Sequence, residues 1–264
     1  MNGYVALSNW DLAAAALLLI LNAALSVWLQ LGLARQLLIA GLRMTIQLLL
    51  VGLVLKFLFA VVSPWLTGAA MLFMAAVAGY EVMARQTHGL RGIWRYGLGF
   101  STMMAAAGMV TLVALTAQIQ PDPWYDPRYA IPLFGMILGN AMTGIALGLN
   151  TLTETVTREK IAIEAQLLLG ADRWHAMRPF TRKALTSGFM PIINAMAATG
   201  IVSLPGMMTG QILAGVEPTQ AVRYQLLIMF LIGGATGLGV LMAVLSGVWR
   251  LSDDRHRLRL DRLA

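Results

Sequence analysis

Asn140 and Thr143 stand three residues apart inside an otherwise apolar run, IPLFGMILGNAMTGIALGL. A hydrogen-bonding side chain held in hydrocarbon costs free energy unless it meets a partner helix or a water-filled path, so this pair is the first candidate for chemistry. The second is SLPGMM, in which Ser203, Pro205, Gly206, Met207 and Met208 follow one another closely. Proline removes a backbone donor and clashes with the preceding turn, so the helical ladder should open around Ile201–Leu204. Freed carbonyls and half-helix ends serve as ligand groups where transporters break their helices, and a plain kink is the alternative. The thioethers of Met207 and Met208 suit a soft metal such as Cu(I), and methionine is equally a flexible filler of helix interfaces. Gln47 and Gln225 could line a polar path or close interhelical hydrogen bonds. The candidate path is therefore Gln47, Asn140, Thr143, Ser203, Pro205, Gly206, Met207 and Met208. Gly135, Gly139, Gly144 and Gly148 draw a small-residue seam along the Asn140 helix, which lets backbones approach closely.

Other chemistry is excluded by residue type. None of the three lysines, Lys56, Lys160 and Lys183, follows a glycine, so the chain has no P-loop and no means of binding ATP that way. There is no cysteine, which removes disulfides, thiolate metal sites and cysteine nucleophiles. His88, His175 and His256 lie in segments expected outside the membrane, with no paired-histidine spacing for zinc. No metal ligand set and no catalytic residue is assigned, and no cofactor is expected in this chain.

The elements that must position these residues are membrane helices. Of 264 residues 58% are hydrophobic and 12% charged, more apolar mass than a soluble domain of this size can bury. Seven spans are expected at roughly 12–31, 38–60, 65–83, 97–118, 130–150, 189–213 and 224–249. The fold class is an all-α integral membrane protein, a polytopic bundle of about seven transmembrane helices forming a single permease domain over 1–264. Sixteen of the 19 basic residues fall in the loops after spans one, three and five and in the tail, against Lys56, Arg128 and Arg223 on the other side. The positive-inside rule then places the N-terminus outside and the C-terminus in the cytoplasm. No basic residue precedes the first apolar run in MNGYVALSNWD, so that span is expected to be retained rather than cleaved as a leader. The loop QPDPWYDPRY reads as an interfacial turn with Trp124 and Tyr125 at headgroup level. The tail SDDRHRLRLDRLA reads as a basic flank for anionic lipid headgroups, with no nucleic-acid role.

The longest expected cytoplasmic segment is an arm over 151–188. From Thr153 to Leu169 the spacing predicts an amphipathic helix with Ile161, Ala165, Leu168 and Leu169 as its apolar residues and opposite charges four apart among Glu154, Arg158, Lys160 and Glu164. Gly170 suits its C-terminal cap. Asp172 can cap a short second helix through Trp174 and Met177 that stops before Pro179. Such an arm either lies on lipid or docks a soluble partner, and an exposed Trp174 and Met177 favour docking.

Glu164, Ala165 and Gly170 resemble the EAA loop of ABC-transporter permeases, although Gln166 replaces its second alanine and the later Ile-x-Leu-Pro portion is not recognisable. SLPGMMTG together with IPLFGMILGNAMTG resembles the FetB-type iron-export permease family, and the likeness runs over nearly the whole chain. That resemblance implies the membrane half of an ABC exporter in a bacterial inner membrane, moving iron out of the cytoplasm. It implies a separate ATPase subunit that binds ATP, a homodimer of permease chains, and a link to plant aluminium-tolerance proteins. The coupling residues it implies are Glu164, Ala165, Gly170, Trp174 and Met177. An ABC permease for an organic solute and a non-transporting membrane scaffold are the other readings.

Overall fold

The structure, a computed structural model, describes residues 8–264. The basic-free stretch at 1–7 that bears on a cleaved leader lies outside the described residues. The helices group into two compact units, one ending at Val61 and the other starting at Val62.

The N-terminal unit is a helical hairpin. α1 (Asn9–Trp28) begins at a capping box, in which Ser8 Oγ accepts from the Asp11 amide and the Ser8 amide donates to the Asp11 carboxylate. The chain reverses through Gln30 and Gly32, both left-handed, into α2 (Ala34–Val61). A Cβ at Gly41 would run into Leu19 Cδ2, which marks where the two helices touch. Most other leucines of the pair are exposed, as expected of helices solvated by lipid chains.

The second unit is built around α5 (Pro127–Arg158), which packs against α3 (Pro64–Ala84), α4 (Trp94–Val113, extended by a π-helical turn Ala114–Ile119), α7 (Arg173–Ala198) and α9 (Pro218–Arg250). Two short helices, α6 (Lys160–Leu168) and α8 (Gly206–Leu213), complete it. At about 1.5 Å per residue, a helix of α5's length spans about 48 Å, so it outruns a hydrocarbon core of about 30 Å. Among the described residues six helices are long and apolar enough to cross a membrane: α1, α2, α3, α4 with its π-helical extension, α5 and α9. The chain is an all-α, polytopic membrane bundle.

Glycine sets the tightest packing, though not as one seam. A Cβ at Gly144 would lie 2.7 Å from the Gly188 carbonyl oxygen, and one at Gly188 would lie 2.5 Å from Val240 Cγ1, so α5 and α7 meet backbone to backbone there and the Val240 side chain of α9 packs into the same point. Gly148 repeats the contact against Val244 and the Ala184 carbonyl, whereas Gly135 faces Met74 and Gly139 faces nothing within 4 Å. The seam expected along one line of α5 is therefore split between its packed and its open faces.

The sixth expected span differs most. Instead of one helix over 189–213, α7 starts at Arg173, ends at Ala198, and is followed by a break and by α8. Its four cations, Arg173, Arg178, Arg182 and Lys183, keep it from reading as a uniform apolar crossing. The short helix expected to stop before Pro179 does not stop. Pro179 would have bonded the carbonyl of His175, an exposed residue within the first turn, where water can take the acceptor. The buried face Ala176, Met177, Ala184, Gly188 and Ile192 then holds the helix against α5 and α9. The Gly144–Gly188 and Gly148–Ala184 contacts make α7 antiparallel to α5. Met207 of α8 lies beside Pro132 and Met136 of α5, so the two pieces together retrace most of that helix.

The tail is a folded clasp rather than a loose basic flank. Arg262 Nη1 donates to the carbonyls of Arg250 and Ser252 at 2.7 and 3.2 Å, the Arg91 amide donates to the Arg262 carbonyl at 2.7 Å, and the Ala264 amide to that of Gly89 at 2.7 Å. Arg250 stacks over Trp94, itself 6.0 Å from Trp249. Arg259 grips Asp261 through two bonds of 2.8 Å, and these hold the Asp261 carboxyl at about 2.

Candidate translocation path and coupling arm

On α5 the exposed residues Pro132, Gly139, Asn140, Thr143 and Leu147 recur at helical spacing and form one stripe on the most deeply packed helix of its unit. Asn140 Nδ2 donates to the Met136 carbonyl at 2.8 Å and Thr143 Oγ1 to that of Gly139 at 3.1 Å. Each polar group is thus satisfied on its own helix, and neither meets the neighbouring helix that sequence reasoning allowed for. The amide oxygen of Asn140 and the lone pairs of Thr143 stay available to whatever faces the stripe.

The break after α7 lies where the proline predicted it. Thr199 leaves helical geometry, Gly200 is left-handed at φ +89°, and its amide donates to the Ser203 carbonyl at 2.9 Å. The Val202 and Ser203 amides both return to the Ala198 carbonyl, and Pro205 caps α8 at φ −62° and ψ 139°. Ser203 is exposed, Met207 and Met208 are half-buried, and Met207 shares a cavity of about 40 Å³ with Pro132, Met136, Tyr224 and Ile228. The structure therefore brings Met207 onto α5, against Pro132 and Met136 rather than against Asn140 and Thr143. Gln47 belongs to α2 in the N-terminal unit.

Two glutamines sit nearby. Gln225, singled out by sequence, is buried in α9, and Gln211 of α8, which sequence reasoning passed over, is half-buried; the Oε1 of each lacks a partner. Asn194, exposed on α7 among Met190, Ile193 and Ala197, is a further polar residue that was missed. Its signal was available as an amide within an apolar run, four residues after Met190. Among the described residues no group of three or more His, Asp or Glu could hold a metal ion.

The arm is assembled by local caps. α5 ends at Arg158, Glu159 turns out of helix, and α6 follows, so the single helix expected from Thr153 to Leu169 is bent. Lys160 and Glu164 form their expected pair at 3.7 Å, while Arg158 pairs with Glu159 at 3.2 Å instead of Glu154. Gly170 is left-handed at φ +93°, its amide bonds to the Leu167 carbonyl, and that of Ala171 to Gln166, completing a Schellman cap. Asp172 then accepts from the amides of Trp174 and His175 at 2.8 and 3.0 Å, starting α7. The His175 amide, joined by that of Trp174, holds the Asp172 carboxyl below the usual range against the opposing cost of desolvation.

The arm packs by a face that the spacing did not single out. Ile163 is buried and Leu167 packs on the core, so α6 is held by the side that sequence reasoning overlooked, although their four-residue spacing was a usable sign. Ile161, Leu168 and Leu169 point outward, 83%, 88% and 88% exposed, with Ala165 on the same side. Trp174 is 44% exposed as expected, whereas Met177 is 1% exposed and belongs to the packing of α7, not to any docking surface. Met177 lies in the middle of the packed face with Ala184 and Gly188, whereas Trp174, one turn earlier, sits at the edge of that face in the first turn of α7.

The comparisons agree on one family. Its profile, described as Uncharacterised protein family (UPF0014), matches residues 9–251. The chain is 39% identical over 237 residues to UPF0014 membrane protein slr1647 of Synechocystis sp. (strain ATCC 27184 / PCC 6803 / Kazusa), covering 89% of each chain. It is 30% identical over 258 residues to the Probable iron export permease protein FetB of Escherichia coli (strain K12), covering 97% of each. It is 32% identical over 225 residues to Protein ALUMINUM SENSITIVE 3 of Arabidopsis thaliana, covering 85% of this chain and 80% of that one. No solved structure matches the chain. A multi-pass helical bundle that carries this profile from its first described helix to the end of its last long one belongs to the UPF0014 family of membrane proteins.

Proposed function

We propose that this chain is the membrane-spanning permease of an ABC exporter that moves metal ions, iron foremost, out of a bacterial cytoplasm across the inner membrane. A separate ATPase chain binds and hydrolyses ATP, and two permease chains pair with two ATPases. The observation that carries the reading is the outward apolar knob Ile161, Leu168 and Leu169 on a turn fixed by the Gly170 and Asp172 caps. Apolar side chains this exposed at a capped, rigid turn suit insertion into a pocket of a soluble partner, and the beginning of α7 at that turn gives the partner a direct hold on the bundle. Glu164 braces α6 through Lys160, Gly170 permits the turn, and Trp174 adds an aromatic edge. The iron assignment is supported by the name of the Escherichia coli relative.

The test is co-purification of the cognate ATPase with wild type, Leu168→Gln/Leu169→Gln and Trp174→Ala, followed by iron uptake into inverted vesicles. Wild type should retain the ATPase and show ATP-dependent uptake, and the variants should weaken association by about 2 kcal/mol or more as interface hot spots do. Wild-type association in both variants would leave the knob as a lipid-surface element and sink the docking role.

A further inference from the structure

An open concavity of about 920 Å³ runs along the first half of α7 and is lined by Asp172, Trp174, His175, Arg178, Arg182 and Leu185 among others. Arg178 and Arg182 are four residues apart on the helix, about 6 Å along its axis, and so share a face. Both are exposed, and among the described residues neither has an ion pair or a hydrogen-bond partner. The one acid in the lining, Asp172, is occupied by the amides of Trp174 and His175. The concavity therefore carries two guanidinium forks with no carboxylate free to answer them.

Farther along, the exposed residues Thr186, Met190, Asn194 and Ala197 wind around α7 away from the arginine face, Asn194 lying about 160° from Arg178 at 3.6 residues per turn, and α5 carries its own exposed stripe of Gly139, Asn140 and Thr143. Neither stripe has a carboxylate, imidazole or thiolate anywhere between residues 131 and 150 or between 184 and 198. A bare divalent cation would thus meet guanidinium groups in the concavity and only amides and hydroxyls on the two exposed stripes, with nothing of opposite charge to replace its hydration shell. An oxyanion meets the reverse in the concavity: planar donors that match carboxylate or phosphate, with no free carboxylate beside them to repel it.

Resting on the transporter reading above, the geometry points to Arg178 and Arg182 as the loading site for an anionic substrate, a carboxylate- or phosphate-bearing species that is free or wrapped around a metal ion as a negatively charged complex. The metal then travels inside its chelate, which removes the need for protein ligands. An anionic lipid headgroup has the same phosphate chemistry, and the experiment separates the two.

The permease co-purified with its ATPase is placed in nanodiscs of phosphatidylcholine alone, and ATP hydrolysis is titrated with ferric citrate, with citrate, and with ferrous ion kept reduced. Ferric citrate or citrate should stimulate hydrolysis, and Arg178→Gln and Arg182→Gln should each raise the half-stimulating concentration about tenfold, the loss expected for one charge-assisted contact. Arg182→Lys, which keeps the charge and loses the fork, should fall between. ATPase association should be unchanged in all three. Stimulation by ferrous ion with a half-point that the glutamine variants leave unmoved would overturn the anion site. So would stimulation that appears only when phosphatidylglycerol is added, which would make the headgroup the occupant. Failure of the wild-type chain to hold the ATPase would take down the transporter reading and this inference with it.

Discussion

Gly144 and Gly139 lie on one helix five residues apart, and replacing each by alanine separates packing from exposure. At Gly144 the new methyl carbon would sit 2.7 Å from the Gly188 carbonyl oxygen and 3.0 Å from both Thr236 Cγ2 and Val240 Cγ2, while at Gly139 it would meet nothing within 4 Å. The Gly188 oxygen is backbone and cannot rotate away, so α5 and α7 must part by several tenths of an ångström. Overpacking of this kind costs about 1–3 kcal/mol. Both substitutions carry the same gain of about 1 kcal/mol in helix propensity, so it cancels in the difference between the variants. Gly144→Ala should therefore be less stable than Gly139→Ala by about 1–3 kcal/mol, a melting-temperature gap of about 2–12 °C for a chain of this size. The assay is thermal unfolding of the two purified variants in one detergent, followed by loss of the monodisperse peak. Equal melting temperatures, or a lower one for Gly139→Ala, would refute the backbone-contact argument.

Single cysteines in this cysteine-free chain should report orientation, position 124 labelling from outside and position 255 only from the cytoplasm, and the reverse pattern at both would overturn the orientation expected from the basic residues. Pro205→Ala should extend α8 backwards into the break and depress transport while ATPase association is kept; unchanged flux would reduce the break to a packing feature. Arg262→Ala removes the two bonds to the Arg250 and Ser252 carbonyls and should loosen the tail by about 1–3 kcal/mol, seen as faster amide exchange at Arg91 and Ala264. Acid should act on the same clasp in a defined window. The carboxyl of Asp261 is depressed in the folded state, so its contribution is complete above its unfolded value near 3.8 and is lost as pH falls from there through about 2. Exchange protection of the tail that is constant from pH 8 to 5 and declines below about 4 is expected, and loss between pH 7 and 6 would implicate a histidine instead.

What sequence made legible here is what acts locally. Gly170 and Asp172 read as caps because each satisfies backbone groups within three residues of itself, and Pro205 read as a break because the clash is with its own preceding turn. What it hid depends on which way a helix faces. In a bilayer an apolar residue is no sign of an inward position, so the spacing that singled out Ile161, Leu168 and Leu169 did not tell them from Ile163 and Leu167, which pack on the core. Met177 and Trp174 are neighbours one turn apart, and only the point at which α7 begins to pack decides that the first is exposed no longer while the second still is. Pro179 looked like a stop because its local cost is real, and it is outweighed by packing farther along α7. The clasp was invisible because its acceptors, the carbonyls of Gly89, Arg250 and Ser252, carry no side-chain signature at all.

The continuity of α7 past Pro179 has a mechanical meaning. It makes a single rod from the Asp172 cap to the break at Thr199, clamped where Gly188 touches Gly144. That contact lies 15 residues from one end and 10 from the other, arms of about 22 and 15 Å at 1.5 Å per residue. A tilt of about 5° about this fulcrum swings the arm end by about 2 Å and the break end by about 1.3 Å in the opposite direction. A side chain at the pivot shifts the axle, whereas a joint at Pro179 would have let the arm end move without the break end. The rod is geared slightly down, trading travel at the arm for force at the break.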